Sequence, residues 1–191
     1  MRHSKVKFSI SPTACIGFAL AVILLPLNVL TAWFIAVSIH EISHVLAAKI
    51  CKAEIHSVNF RLFGATISTE ALSVWQQIFC AVSGPTGGLL LTFTVSRFPL
   101  LAICGGIQSF FNLLPFKRSD GGTVLRCILL LCLEEDRAYS VCEAVDRILR
   151  FILYVGGLFI AWKLSWFTLA VFSTIALLCR SYVKTPCKQV L

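Results

Sequence analysis

The sequence predicts an all-α polytopic membrane protein of about six transmembrane helices, with a short re-entrant β-hairpin between helices 2 and 3. Three observations predict it. Of 191 residues, 58% are hydrophobic and 14% charged, with a mean hydropathy of +0.86, whereas soluble domains hold about 45–50% apolar and 25% charged residues. The apolar residues fall into runs of about 20, the length that crosses a bilayer as a helix. One stretch, 55–69, instead alternates Val58, Phe60 and Leu62 with Asn59 and Arg61, then turns at Gly64 into Ala65-Thr66-Ile67. It is too short and too polar to span. The length suits one domain, 1–191, in a lipid bilayer.

The elements follow in order. The N-terminus, MRHSKVKFSI, is basic and leads into an apolar run, as a signal peptide does. That run passes Ala21 without a small-residue cleavage site, so it reads as the first span, roughly Thr13 to Leu30, with Pro26 and Asn28 at its far end. The second, Thr31 to Ile50, closes on Lys49 and Lys52. After the hairpin, a third runs from Leu72 to Val95, interrupted by Ser83-Gly84-Pro85-Thr86-Gly87-Gly88. At membrane depth such a break must face protein or water. The fourth apolar region, Leu100 to Leu133, is too long for one crossing and is broken between Asn112 and Gly122. Glu134 to Arg150 reads as a surface helix, with Glu143–Arg147 and Asp146–Arg150 at i,i+4 spacing. Phe151 to Cys179 is long enough for two short spans turning near Lys163 to Trp166; one tilted span is the alternative.

Charge and cysteines narrow the function classes. The net charge of +8 is spread as anchors around the spans, with no basic stripe interleaved with aromatics, so nucleic acid is set aside. Most basic residues, among them Lys5, Lys7, Lys49, Lys52, Arg147, Arg150 and Lys184, fall on one side of a six-span arrangement. Only Arg97 and Lys163 fall on the other. Both termini are therefore expected in the cytosol. The nine cysteines contain no CxxC pair and mostly lie within apolar runs, which reads as free thiols.

The chemistry resides in His40-Glu41-Ile42-Ser43-His44, inside the second span. At helical spacing His40 and His44 share one face, one turn apart, which suits two ligands of a single zinc ion. Glu41 is placed to act on a water bound by that metal. Chance gives HExxH on the order of once in a few hundred such chains, and two merely buried histidines would leave Glu41 unexplained. His40 lies nine residues before Lys49, about 14 Å along a helix, so the site sits below the cytosolic surface.

Catalytic zinc needs three protein ligands. Candidates for the third are Asp120, Glu54, Glu70, His56 and the nearer cysteines. Asp120 is favoured as the carboxylate of the fourth apolar region, beginning a half-helix where Gly121-Gly122 permits close backbone approach. The competing role for Asp120 is an N-cap partnered by Lys117 or Arg118.

His40-Glu-Ile-Ser-His44, with Asn112-Leu-Leu-Pro115 and Asp120-Gly121-Gly122 two spans later, resembles the site-2 protease family. Within it, the chain is most similar to the stage IV sporulation protein FB group of spore-forming bacteria. The likeness covers the chain from the first span to about Leu133, including the Ser83-Gly84-Pro85 break. It implies one zinc per chain on His40, His44 and Asp120, with Glu41 as catalytic base. It further implies a multi-pass bacterial membrane protease opening to the cytosol and cutting a membrane-embedded or membrane-adjacent segment of a regulatory protein, such as a pro-sigma factor in sporulation. Inhibitory membrane proteins are expected partners. Asn112, Val58, Phe60, Gly84 and Pro85 are expected substrate contacts, the hairpin through a free strand edge. Many relatives carry Pro-Leu before the aspartate and an Asn shortly after the Gly-Pro, where this chain has Arg118-Ser119 and Gly87-Gly88. The sporulation group continues into a CBS module, which is not expected in 1–191. Two rival readings are a zinc or cation transporter, which has no need of Glu41 beside the ligands, and an inactive scaffold that binds membrane partners.

Overall fold

A computed structural model of the chain describes residues 7–10, 12–53, 55–61, 64–69 and 72–164. Six helices carry the fold: α1 (Pro12–Leu24), α2 (Leu27–Ile50), α3 (Val74–Leu90), α4 (Pro99–Leu113), α5 (Asp120–Cys132) and α6 (Glu135–Leu164). A 3₁₀ turn, Leu91–Thr94, extends the end of α3. Three strands, β1 (Lys7–Ile10), β2 (Ile55–Arg61) and β3 (Gly64–Thr69), form one sheet in the order β1-β2-β3.

The sheet corrects two expectations. The chain is mostly helical, not all-α, because the basic N-terminal segment holds a strand. β1 pairs parallel with β2, Phe8 opposite Val58 and Ile10 opposite Phe60, while β3 pairs antiparallel on the other side, Ile67 opposite Val58. The strand that carries Val58 and Phe60 is therefore central, and the free edge expected of it is taken by β1. An alternating segment advertises its own strand, but the partner that fills its edge is set by tertiary contact.

Helix boundaries also differ from the sequence reading, for identifiable reasons. The division between α1 and α2 falls at Pro26, whose φ of −59° and ψ of 146° are extended, and not at residue 30. Proline lacks the N–H that would continue α1, yet it suits the entry to a helix. Asn28 then belongs to the first turn of α2, where its Oδ1 accepts the Val29 N–H at 3.0 Å. The expected interruption at 83–88 is absent, since α3 runs straight through Pro85. Nearby hydroxyls tie into this stretch, with Ser83 Oγ donating to the Cys80 carbonyl at 2.6 Å and Thr86 Oγ1 to the Val82 carbonyl at 2.8 Å. Such hydroxyls help a helix in an apolar setting tolerate proline. The surface helix and the first half of the last apolar region are a single 30-residue helix, α6. A change from polar to apolar composition alone does not end a helix. The turn expected near Lys163 to Trp166 lies mostly outside the described residues.

The interior is built from small residues. α3 packs against α2, α4 and α5, and α2 also meets α4. The buried side chains include Ala32, Ala36, Ala47, Ala81 and Ala102, while Ile42, Leu46, Trp75, Phe93 and Phe110 are exposed. This reverses the distribution of a water-soluble domain and matches helices packed in lipid, where small residues let backbones approach. Among the described residues α2 alone is long and apolar enough to cross a bilayer, and α4 is a shorter apolar helix.

The tightest approach is where α3 meets α4. A Cβ built on Gly105 would stand 2.7 Å from the Gly88 carbonyl oxygen and 3.0 Å from Leu91 Cβ, so backbone would have to move. Gly105→Ala is expected to lower stability by about 1–3 kcal/mol, as overpacked sites do. Unfolding in detergent would measure it, and an unchanged midpoint would contradict the packing described.

Candidate metal centre

α2 supplies the first two groups. His40 and His44 stand one turn apart, their Nε2 atoms 3.2 Å from each other. His40 is only 3% exposed. His44 is fixed by the hydrogen bond between its Nδ1 and the Cys80 carbonyl, at 2.8 Å. The carbonyl can only accept, so Nδ1 carries the proton and Nε2 keeps its lone pair for a ligand.

Two features of α3 bring that carbonyl to His44. Gly84 lies beneath the imidazole, where any Cβ would run into the ring, and a Cβ on Gly87 would meet Ser43 Oγ. Pro85, itself fully buried, gives no N–H to the Ala81 carbonyl and crowds that turn. In that turn the Cys80 carbonyl accepts from both Ser83 Oγ and His44.

The third group comes from the start of α5. Asp120 Oδ2 stands 3.2 Å from His40 Nε2 and 3.4 Å from His44 Nε2. Asp120 does not cap its helix. Ser119 is the N-cap, its Oγ accepting the Gly122 N–H at 3.1 Å and donating back to the Leu114 carbonyl. The Phe116 N–H also reaches that oxygen at 3.1 Å. Ser119 thereby frees the carboxylate one residue later to turn towards the histidines. Gly121 and Gly122 make this possible, since a Cβ on Gly121 would collide with the Leu113 carbonyl at the end of α4 and one on Gly122 with the Phe116 carbonyl of the bend 114–119. The unusual Arg118-Ser119 is thus half explained: Ser119 is a capping residue. The signal, Ser followed by Asp-Gly-Gly, was visible in the sequence.

The three atoms fit one ion. Ligands held at about 2.0–2.2 Å around a tetrahedral zinc lie about 3.3–3.6 Å apart, against the 3.2, 3.2 and 3.4 Å found here. Among the described residues, His40, His44 and Asp120 are the group of His, Cys, Asp or Glu able to hold a metal. Glu41, half-buried, follows His40 on the same helix. Of the other ligand candidates, Glu54 and Glu70 lie outside the described residues, and His56 lies on β2. Asn112 sits half-buried in the last turn of α4, just ahead of the bend.

The bend is also tied to α6. Asp146, in the polar half of that helix, accepts the Lys117 N–H at 2.9 Å and pairs with Arg150. Lys117 Nζ bonds Glu143 Oε1 at 2.7 Å, so Glu143 pairs with the bend and not with Arg147 as its spacing invites. The Lys117 ammonium holds the Glu143 carboxyl below the usual carboxylate range.

Comparison with known proteins gives a consistent picture. No family model matches the chain. A Synechocystis sp. protein whose name describes it as a candidate zinc metalloprotease, sll0528, is 32% identical over 112 residues, covering 50% of this chain. The match spans only 30% of that relative's length. The solved structure of the site-2 protease from Methanocaldococcus jannaschii superposes with a TM-score of 0.67 at 17% identity, covering 100% of this chain and 98% of the other. The chain therefore has a site-2 protease-like fold.

Gly84→Ala tests how His44 is held. The added methyl must displace the imidazole and break its bond to Cys80, and losing such an outer partner lowers metal affinity about 10–100-fold. Competition with a zinc chelator would read this, and wild-type affinity would mean that Gly84 does not position the ring.

Proposed function

We propose that the chain is an intramembrane zinc endopeptidase of the site-2 protease family, cutting a membrane-embedded or membrane-adjacent segment of a protein substrate. The observation that carries this reading is the meeting of His40, His44 and Asp120 at 3.2–3.4 Å, beside Glu41. The likeness in fold to a site-2 protease and in sequence to a relative named for zinc proteolysis supports it. So does the exposed apolar surface around a small-residue core. The reading includes about six spans with both termini and the site's opening on the cytosolic side, by the distribution of basic residues. The hairpin then lies re-entrant beside the site.

One zinc, held by His40, His44 and Asp120, would supply Lewis acidity, lowering the pKa of a water and drawing charge from the scissile carbonyl. Glu41 takes the proton from the attacking water and returns it to the leaving amine nitrogen. His44 keeps its Nδ1 proton on the Cys80 carbonyl throughout, so its other nitrogen remains a ligand. Asn112, at the edge of the bend, donates its amide N–H to a substrate carbonyl. Gly84 and Pro85, buried beneath the histidines, act on substrate indirectly by holding His44 in place.

A helical substrate must unwind to expose its peptide bond, and the freed backbone then needs partners in lipid. Because β1 and β3 occupy both sides of β2, the strand addition proposed here falls on an outer edge of the sheet, with Val58 and Phe60 in the supporting central strand. The likeness to the sporulation group makes a pro-sigma factor the substrate of choice, held in check by inhibitory membrane proteins until needed.

Glu41→Gln and Asp120→Ala separate the roles. Glu41→Gln is expected to retain zinc while cleavage of a co-expressed substrate falls about 10²–10⁴-fold, the range of a lost general base. Asp120→Ala should lose zinc and cleavage together. Zinc content by elemental analysis and product formation on gels read both. A Glu41→Gln protein that still cleaves would sink the protease assignment, and unchanged zinc in Asp120→Ala would move the third ligand elsewhere.

A further inference from the structure

We propose that Asp146 is a positioning residue for the metal centre, acting from α6 through the Lys117 backbone on the bend that carries Asp120. This rests on the metal-site reading above.

Asp146 is out of place by composition. The polar half of α6 otherwise offers its charges to water, with Glu134 and Arg137 forming an exposed pair just at its start, yet Asp146 is only 4% exposed. A buried carboxylate is a poor source of stability, because the cost of desolvating it offsets what its partners return. It is better suited to fixing geometry. One carboxylate oxygen accepts the Lys117 N–H and the other pairs with Arg150. A charge-assisted bond to a backbone N–H is directional and has no flexible stem on the donor side.

The load passes to the metal ligand along a short path. Lys117 is three residues before Asp120. Between them, Ser119 Oγ links the Leu114 carbonyl, the Phe116 N–H and the Gly122 N–H, and the glycines of α5 press on the bend's carbonyls. Bend and first turn of α5 thus form one unit, and Lys117 fastens it to α6. The second fastening, Lys117 Nζ to Glu143, joins side chains 39% and 52% exposed. Pairs that exposed contribute little, so the backbone bond to Asp146 is the one that positions.

The experiment uses the full chain in detergent and reads zinc affinity by chelator competition. Asp146→Ala should weaken zinc about tenfold or more, the usual consequence of losing an outer-shell partner. Asp146→Asn, which keeps an acceptor for the Lys117 N–H, should stay close to wild type, as should Lys117→Met, which keeps the backbone donor. If Asp146→Ala does not fold, Asp146→Leu combined with Arg150→Leu removes the stranded cation as well and should show the same loss. Wild-type affinity in the acceptor-less variants overturns the proposal, and so does a Lys117→Met loss equal to theirs. A wild type that holds no zinc sinks only the metal-site reading. Hydrogen exchange then decides: the Lys117 amide should exchange slowly in the wild type and fast without the acceptor, and fast exchange in the wild type overturns the proposal.

Discussion

Two imidazoles and a carboxylate meeting at one point inside an apolar bundle constrain everything around them. Ionisable groups in such surroundings are tolerated when they face the interior and satisfy one another or an ion. Here they come from helices 80 residues apart in sequence, His40 on α2 and Asp120 on α5. Their nitrogen and oxygen atoms must arrive within a few tenths of an ångström of 3.3 Å, the spacing that one tetrahedral ion requires. Helices kept apart by leucine-sized side chains would make that hard. Glycines solve it: at Gly84 and Gly87 on α3 there is no Cβ to hold α2 away, and where Gly88 on α3 meets Gly105 on α4 there is none to hold those two helices apart. The small-residue core is therefore a requirement of the site as much as a habit of membrane helices.

The same helix supplies the orientation. Pro85 in the middle of α3 would weaken an ordinary helix. Here the turn before it presents the Cys80 carbonyl to His44, while Ser83 satisfies the same oxygen from within the helix. The proline that looks like a defect in the sequence lies beside the acceptor that sets the tautomer of His44.

How much of this was legible follows from the range of each interaction. His40 and His44 were readable because i,i+4 spacing is local and the residue types are costly in an apolar run. Asp120 was readable because it is the only carboxylate between Leu100 and Leu133 and stands beside two glycines. The Ser119 cap was within reach of the same local logic. By contrast, the Cys80 carbonyl has no side-chain signature, since every residue has a carbonyl and only packing selects one. Glu143 shows the limit from the other side: its spacing favoured Arg147, but Lys117, 26 residues earlier, took it. The break expected at 83–88 failed similarly, because Gly and Pro signal irregular backbone in water, whereas in a packed apolar helix they signal close approach. β1 was hidden because a basic terminal segment reads as an anchor until a sheet edge is there to recruit it.

Placing the carboxylate at a helix start has a physical consequence of its own. Asp120 lies in the first turn of α5, where the helix dipole favours negative charge. With the cap transferred to Ser119, this field acts on a carboxylate that faces the two histidines. A carboxylate in mid-helix would lack that support. It would also lie far from irregular backbone, whereas Asp120 directly follows the bend 114–119. A bend packed between helices needs polar partners for its own backbone, and Ser119 and Asp146 supply them to Leu114, Phe116 and Lys117. The groups that make the bend tolerable are thus the same groups that aim Asp120 at the histidines. A change in the bend would reach the metal centre without touching any of its three side chains.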